Sequence, residues 1–125
     1  MFSHIMLGSN NIDKSENFYN AIMAAIGGAA ATRDAKDRLI YAHRGGRLII
    51  TKPLDGKTAT GANGGTIGFT ADSPEQVQAW HKAGVENGGI AIEDPPGLRQ
   101  RDTGPIYLAY LRDPDGNKLC VVHRP

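Results

Sequence analysis

Two side chains, His4 and Cys120, could carry chemistry in this chain. A neutral imidazole, with a reference pKa of about 6.5, can shuttle a proton, donate to a carbonyl oxygen or ligate a metal. Cys120 is the only cysteine. Its thiol becomes a nucleophile where a basic neighbour such as His4 or Lys118 favours the thiolate. The plainer reading, a small apolar wall of a pocket, is preferred. The stretch EDPPGLRQRDTGP, residues 93 to 105, reads as a long loop carrying Arg99 and Arg101. Their guanidinium groups could clamp a carboxylate or phosphate at the rim of a site. Tyr107 and Tyr110 alternate to opposite faces of one strand, so only one can reach a cleft, and Tyr110 has the parity of Arg112. Glu93 is the nearest carboxylate to these groups. GANGG, residues 61 to 65, lacks the Lys and Ser/Thr of a phosphate-binding loop and reads as a hinge. Trp80 and Phe18 read as packing residues, and His43, His81 and His123, without paired spacing, as surface or core.

The elements that must position these residues follow one plan twice. FSHIMLG alternates Ser3, Ile5 and Leu7 against Phe2, His4 and Met6, as a two-faced strand does. Asn10 or Asn11 can cap a following helix in which Ile12, Phe18, Ile22 and Ile26 line one stripe, and Gly27 and Gly28 stop it. AAATR, RLIYAH and RLIITKP read as three strands, the last two joined across Arg44, Gly45 and Gly46. After the connector LDGKTATGANGG, the strand TIGFTA opens the second half. Ser73 and Pro74 begin a helix with Val77, Trp80 and Val85 as apolar contacts, and IAIE, IYLAYLR and KLCVVH close the chain. The last two are joined through the turn residues of RDPDGN.

These elements predict an α+β domain over residues 1 to 125, with one βαβββ module at about 1 to 54, a connector at about 55 to 64 and a second module at about 65 to 125. One helix cannot cover both faces of its sheet, so the modules form a curved mixed sheet with helices outside and an open cleft. Parity puts Ile5, Leu7, Ile67, Phe69, Leu119 and Val121 beneath helices, and His4, Met6, Thr66, Gly68, Lys118 and Cys120 in the cleft.

Composition narrows the partners. Fourteen Lys and Arg against thirteen Asp and Glu give no charge excess to attract nucleic acid or an anionic membrane. A small molecule, and a second copy in a homodimer, are the expected partners. No apolar run is long enough to span a membrane, one cysteine cannot form an intrachain disulfide, and the expected address is the cytoplasm.

The stretches HIMLGSNNIDKSENFYNAI, GGTIGFTADSPEQVQAWHKAGVENGG and YLAYLRDPDGNKLCVVHRP resemble, in order and spacing, the paired modules of the vicinal oxygen chelate superfamily. That superfamily includes glyoxalase I, bleomycin-resistance proteins and extradiol dioxygenases. The resemblance implies a divalent ion held by one His, Glu or Gln from each of four strands. His4 matches the first position, but Thr66 and Cys120 stand where a His and a Glu would be expected. The first-half position falls on Ile50 by parity, or on Thr51 one residue later. No cofactor is therefore expected, with a divalent metal as a lesser alternative and His4 its only family-type ligand. The resemblance implies a glyoxalase-like protein which, if an enzyme, would be a lyase or isomerase acting beside a carbonyl or, less in keeping, a dioxygenase. His4 and Cys120 would then be its catalytic candidates, and Thr66, Arg99, Arg101 and Tyr110 its substrate-binding candidates. The alternative is a bleomycin-resistance-like protein that sequesters a drug or metabolite unchanged.

Overall fold

The computed structural model describes residues 1 to 125. The first strand, β1 (Ile5–Gly8), gives way at Ser9 and Asn10 to α1 (Ile12–Ala25). Asn11, in extended backbone, caps that helix by accepting from the Lys14 amide. The chain then returns through β2 (Thr32–Arg33), β3 (Leu39–His43) and β4 (Gly46–Thr51). After the connector come β5 (Ile67–Thr70) and α2 (Pro74–Glu86), the latter capped by Ser73 with proline at its first position. The closing strands are β6 (Ile90–Ala91), β7 (Gly97–Arg101), β8 (Gly104–Arg112) and β9 (Lys118–His123).

They make an α+β fold with two mixed sheets, one of four strands in the order β1-β4-β3-β2 and one of five in the order β5-β9-β8-β6 with β7 also on β8. The pairs β1 with β4 and β5 with β9 are parallel and equivalent, which leaves β1 and β5 as edge strands. One core of 17 buried residues draws on both helices and both sheets, so the halves share an interior. Ile12, Phe18, Ile22 and Ile26 are buried along α1 as their spacing predicts.

Three local expectations are corrected. The stretch 93 to 105 is not one loop, since it contains β7, a hairpin partner of β8 through Asp102 and Thr103. GLRQR lacks the alternation that announces a half-buried strand, and backbone pairing rather than burial makes it one. IAIE is extended only over Ile90–Ala91, and Glu93 has a φ of 58°, outside strand geometry. Val85 is 45% exposed, and the buried contact is made by Gly84 instead. A β-carbon at Gly84 would lie 2.2 Å from Leu111 Cδ1 and 3.3 Å from Phe18 Cε1, so α2 approaches the core through a missing side chain.

The RDPDGN turn ties the halves together. Asp113 is 2% exposed, and its Oδ1 accepts from the amides of Asp115 and Asn117. Its Oδ2 accepts from Asn117 Nδ2 at 2.8 Å and from the Tyr19 hydroxyl of α1 at 2.5 Å. Burial first, then the charge of Asp113, pushes the Tyr19 phenol well above its ordinary range, so it stays a donor. The Asp115 carboxylate accepts from the Asn10 amide and the Ser15 hydroxyl, while the Asn10 side chain bonds both backbone groups of Ala59 in the connector. The connector also touches the turn at Gly61, where a β-carbon would sit 2.3 Å from the Gly116 carbonyl oxygen.

Tyr19→Phe, which leaves the buried carboxylate one donor short, is expected to cost about 1.5–3 kcal/mol in urea unfolding; an unchanged midpoint and slope would remove the turn from this role. Gly61→Ala is expected to cost about 1–3 kcal/mol, because backbone stands against backbone there. Gly68→Ala, with nothing within 4 Å of the added carbon, is expected to stay within about 0.5 kcal/mol of the parent in the same assay.

Candidate functional site

Strand register decides which candidates share a face. Gly68 opposes Cys120, Cys120 opposes Tyr110, Lys118 opposes Arg112, and Arg99 opposes Ile106. Opposed residues project to the same side, so Cys120, Tyr110, Lys118, Arg112, Arg99 and Arg101 share the face of the second sheet turned away from the helices. Thr66 precedes β5 with the parity of Gly68 and is exposed. Tyr107 falls on the other face, where its hydroxyl accepts from Gln78 of α2 at 2.8 Å. Tyr110 is therefore the tyrosine of the open face.

Cys120 is 5% exposed, and its thiol donates weakly to the Val121 carbonyl at 3.7 Å. Burial pushes the thiol above its ordinary pKa, opposed by a hydrogen bond with Tyr110. Lys118 lies 4.9 Å from the centre of the Tyr110 ring and pairs with Glu93. The groups acting most on the thiol are thus Tyr110, Glu93, Lys118 and Arg124. His4, exposed just before β1, has Nδ1 2.8 Å from the Ser3 hydroxyl, which leaves Nε2 outward. Arg99 is folded back on its own loop, with Nη2 donating to the Asp94 and Pro95 carbonyls at 3.2 and 2.9 Å. Arg101 is exposed and bonds only the adjacent Gln100 carbonyl, at 3.3 Å.

The first-half position of the fourfold donor set also moves. Met6 opposes Ile49 as Gly68 opposes Cys120, so Ile49 is the structural counterpart of Cys120. Ile50 is 1% exposed in the core, and Thr51 lies two residues further along the open face. The hairpin turns on Arg44 and Gly45 alone, with Gly46 already paired in β4, and a one-residue difference in a turn exchanges strand faces. The four positions are then His4, Ile49, Thr66 and Cys120. They offer one imidazole and one protonated thiol, and no three His, Cys, Asp or Glu side chains cluster anywhere in the chain. That donor set does not fit a divalent ion needing at least three protein ligands.

A cavity of about 280 Å³ lies on the helix side, where β5 passes the β3–β4 hairpin and the end of α1. Ile5, Met23, Leu48, Ile67 and Phe69 form apolar walls, and Tyr41, His43, Arg44 and Arg47 add polar groups. Arg44, with φ 51°, crosses to the second half and holds Asp72 through one guanidinium nitrogen, at 2.5 and 2.6 Å from its two oxygens. The Arg44 hydrogen bond, aided by the positive fields of Arg44, His43 and His123, holds the Asp72 carboxyl below its ordinary range. Sequence reasoning left His43 as surface or core and gave Arg44 only a turn position. Their conjunction with β5 depends on tertiary approach, which spacing along the chain does not encode.

A family model described as Glyoxalase/Bleomycin resistance protein/Dioxygenase superfamily matches residues 1–121. A crystal structure of a glyoxalase/bleomycin resistance protein from Albidiferax ferrireducens T118 is 48% identical, with 99% of each chain covered and a TM-score of 0.95. A glyoxalase/bleomycin resistance protein/dioxygenase family enzyme from Burkholderia phytofirmans PsJN is similar at 16% identity, covering 97% of this chain and 96% of that one, TM-score 0.72. A lactoylglutathione lyase from Agrobacterium tumefaciens is similar at 21% identity, covering 98% and 92%, with a TM-score of 0.65, a likeness of fold. No curated protein gives a significant match.

With its thiol held neutral and nearly enclosed, Cys120 is expected to react with iodoacetamide roughly tenfold or more slower than an exposed cysteine at pH 7. The rate should rise only as pH climbs above the ordinary thiol range. A raised folded-state pKa also means that this group's contribution to stability is present at neutral pH and lost as pH rises through that value. Fast labelling at pH 7 would contradict the wall role.

Proposed function

Because the chain belongs to the glyoxalase/bleomycin resistance protein/dioxygenase superfamily, we propose that it uses its open sheet faces to bind a small organic molecule without metal-centred chemistry. The observation that carries this reading is the donor set: of His4, Ile49, Thr66 and Cys120, only two can ligate, and the thiol is held protonated. Tyr110 and Cys120 supply a wall, Thr66 a hydroxyl, and Arg101 a cation at the rim with fewer local bonds than Arg99. No resident cofactor is part of this reading.

The working unit in this reading is a homodimer. Met6 is 44% exposed beside Ile49, with Ile40 next to them, an apolar strip on the open face of the first sheet. The helices cover the other faces, so a second copy laid against the open faces would turn them into a cleft. The proposed address is the cytoplasm, which suits a single unpaired cysteine.

A second reading is a lyase or isomerase acting beside a carbonyl. What favours it is His4, whose Nδ1 is engaged by Ser3 so that Nε2 could move a proton. The two readings separate in a thermal-shift screen of small organic molecules, bleomycin included, followed by recovery of the ligand and metal analysis of the protein. Binding alone predicts a ligand recovered unchanged, affinity roughly tenfold weaker in Tyr110→Ala, and little effect of His4→Ala. A chemically altered ligand, or a stoichiometric ion lost on His4→Ala, would overturn it in favour of catalysis.

A further inference from the structure

Charge is sorted between the two sides of the sheets. None of the thirteen Asp and Glu residues lies in any of the nine strands. Of the strand cations, Arg33 turns to the helix side and pairs with Asp13 and Glu16 of α1. Arg47, Arg99, Arg101, Arg112 and Lys118 all project from the open faces, by the registers of β3 with β4, β7 with β8 and β8 with β9. A chain of nearly balanced charge therefore has a cationic open side.

The cations at the two ends of β8 differ in what answers them. At one end Lys118 pairs with Glu93, and Arg112 donates to the Gly116 carbonyl at 2.8 Å. At the other, Arg99 opposes Ile106 and Arg101 opposes Gly104, which has no side chain. Tyr107 opposes His123, so Arg124 follows on the opposite flank of Ile106, and its charge reaches the Cys120 thiol on the same face. Three arginines thus flank Ile106. Arg101 and Arg124 are exposed and enter none of the chain's ion pairs, although Asp102 stands in the adjoining turn.

We propose that this arginine end is an anion subsite, and that the ligand of the open face is an aryl phosphate. The inference rests on the reading that this face binds a small organic molecule, and it names the class of that molecule. A carboxylate carries one charge and two coplanar oxygens, which suit a single guanidinium fork. A phosphate dianion directs three oxygens apart, and so can answer side chains arriving from both flanks of β8, about 10 Å from one another across the sheet. Ile106 and Tyr110 are four residues apart, about 13 Å along the strand, so a body that reaches Tyr110 has two rings rather than one. Val122 and Tyr110, both partly exposed, supply its apolar contacts.

Calorimetric titration of the full chain at low salt tests this with four probes of one body: 4-biphenylyl phosphate, the monoanionic sulfate ester, biphenyl-4-carboxylate and neutral 4-phenylphenol. The phosphate is expected to bind at least roughly fivefold tighter than either monoanion and roughly fiftyfold tighter than the phenol, as charge-assisted bonds to more than one arginine require. Arg101→Gln and Arg124→Gln, at exposed positions that leave the circular dichroism unchanged, should each weaken the phosphate roughly tenfold and spare the phenol. Lys82→Gln removes the same charge from the exposed side of α2 and should alter neither, which separates a site from the general field of the protein. No binding of the phosphate, equal affinity for a monoanion or the phenol, or parental affinity retained in both arginine variants would each overturn the subsite. Tyr110→Ala should weaken phosphate and phenol alike. A variant there that binds every probe as the parent does would sink the reading of the open face, whereas Tyr110-dependent binding of the phenol with no preference for phosphate would sink the subsite alone.

Discussion

The Asp113 carboxylate is the constraint on which the rest of this structure depends. It is buried, and an ion there persists only where donors surround it, as two backbone amides, the Asn117 amide and the Tyr19 hydroxyl do. Meeting that requirement fixes the turn between β8 and β9, and with it the register of the closing hairpin. It also fixes where α1 lies, because Tyr19 must reach the turn from the first half. Asp115 and Asn10 extend the same arrangement to the helix start and the connector. One electrostatic requirement thus aligns elements drawn from along the whole chain.

That alignment gives the molecule two unlike surfaces. On the helix side, packing is close enough that Gly84 and Gly89 have no room for a methyl group, while space opens beside the end of α1. On the other side, the sheets present mixed polar and apolar residues without a cover. The contrast follows from one helix per sheet: each helix can satisfy one face, and the shared core uses both helices at once. Departure from the superfamily's usual donor set therefore leaves the fold intact, because those positions lie on the uncovered faces while stability resides on the covered ones.

Much of this was legible in the sequence. Alternation placed Ile67, Phe69, Leu119 and Val121 on the helix side, and they pack in or against the core. The RDPDGN turn announced itself through residue types that have few other uses in that order. What could not be read depended on single-residue register or on tertiary approach. Gly46 belongs to a strand rather than a turn, which exchanges Ile50 for Ile49 on the open face. An edge strand such as β7 buries too little to mark its own sequence, and Gly84 replaces Val85 at the helix contact because a neighbouring helix and strand come that close. Among the candidate residues, alternation put Cys120 and Lys118 on the open face, but which of Tyr107 and Tyr110 joins them was settled only by the pairing of β8 with β9, and Arg99 and Arg101 read as loop residues until β7 paired with β8. Alternation did not find that Arg99 would bind the Asp94 and Pro95 carbonyls, or that His43 and Arg44 would meet the second half beside β5.

The parallel pairings at the two sheet edges have a consequence for the chain in a crowded solution. Each leaves β1 or β5 with a row of backbone donors and acceptors facing outward. Neither IMLG nor IGFT contains a charged residue or a proline, the usual guards against edge-to-edge pairing. Their protection is brevity, since each strand is four residues long and offers a stranger only a few hydrogen bonds. Lengthening either strand, or inserting β-branched residues beside it, would trade that protection for stickiness and turn a well-behaved fold into a template for strand addition.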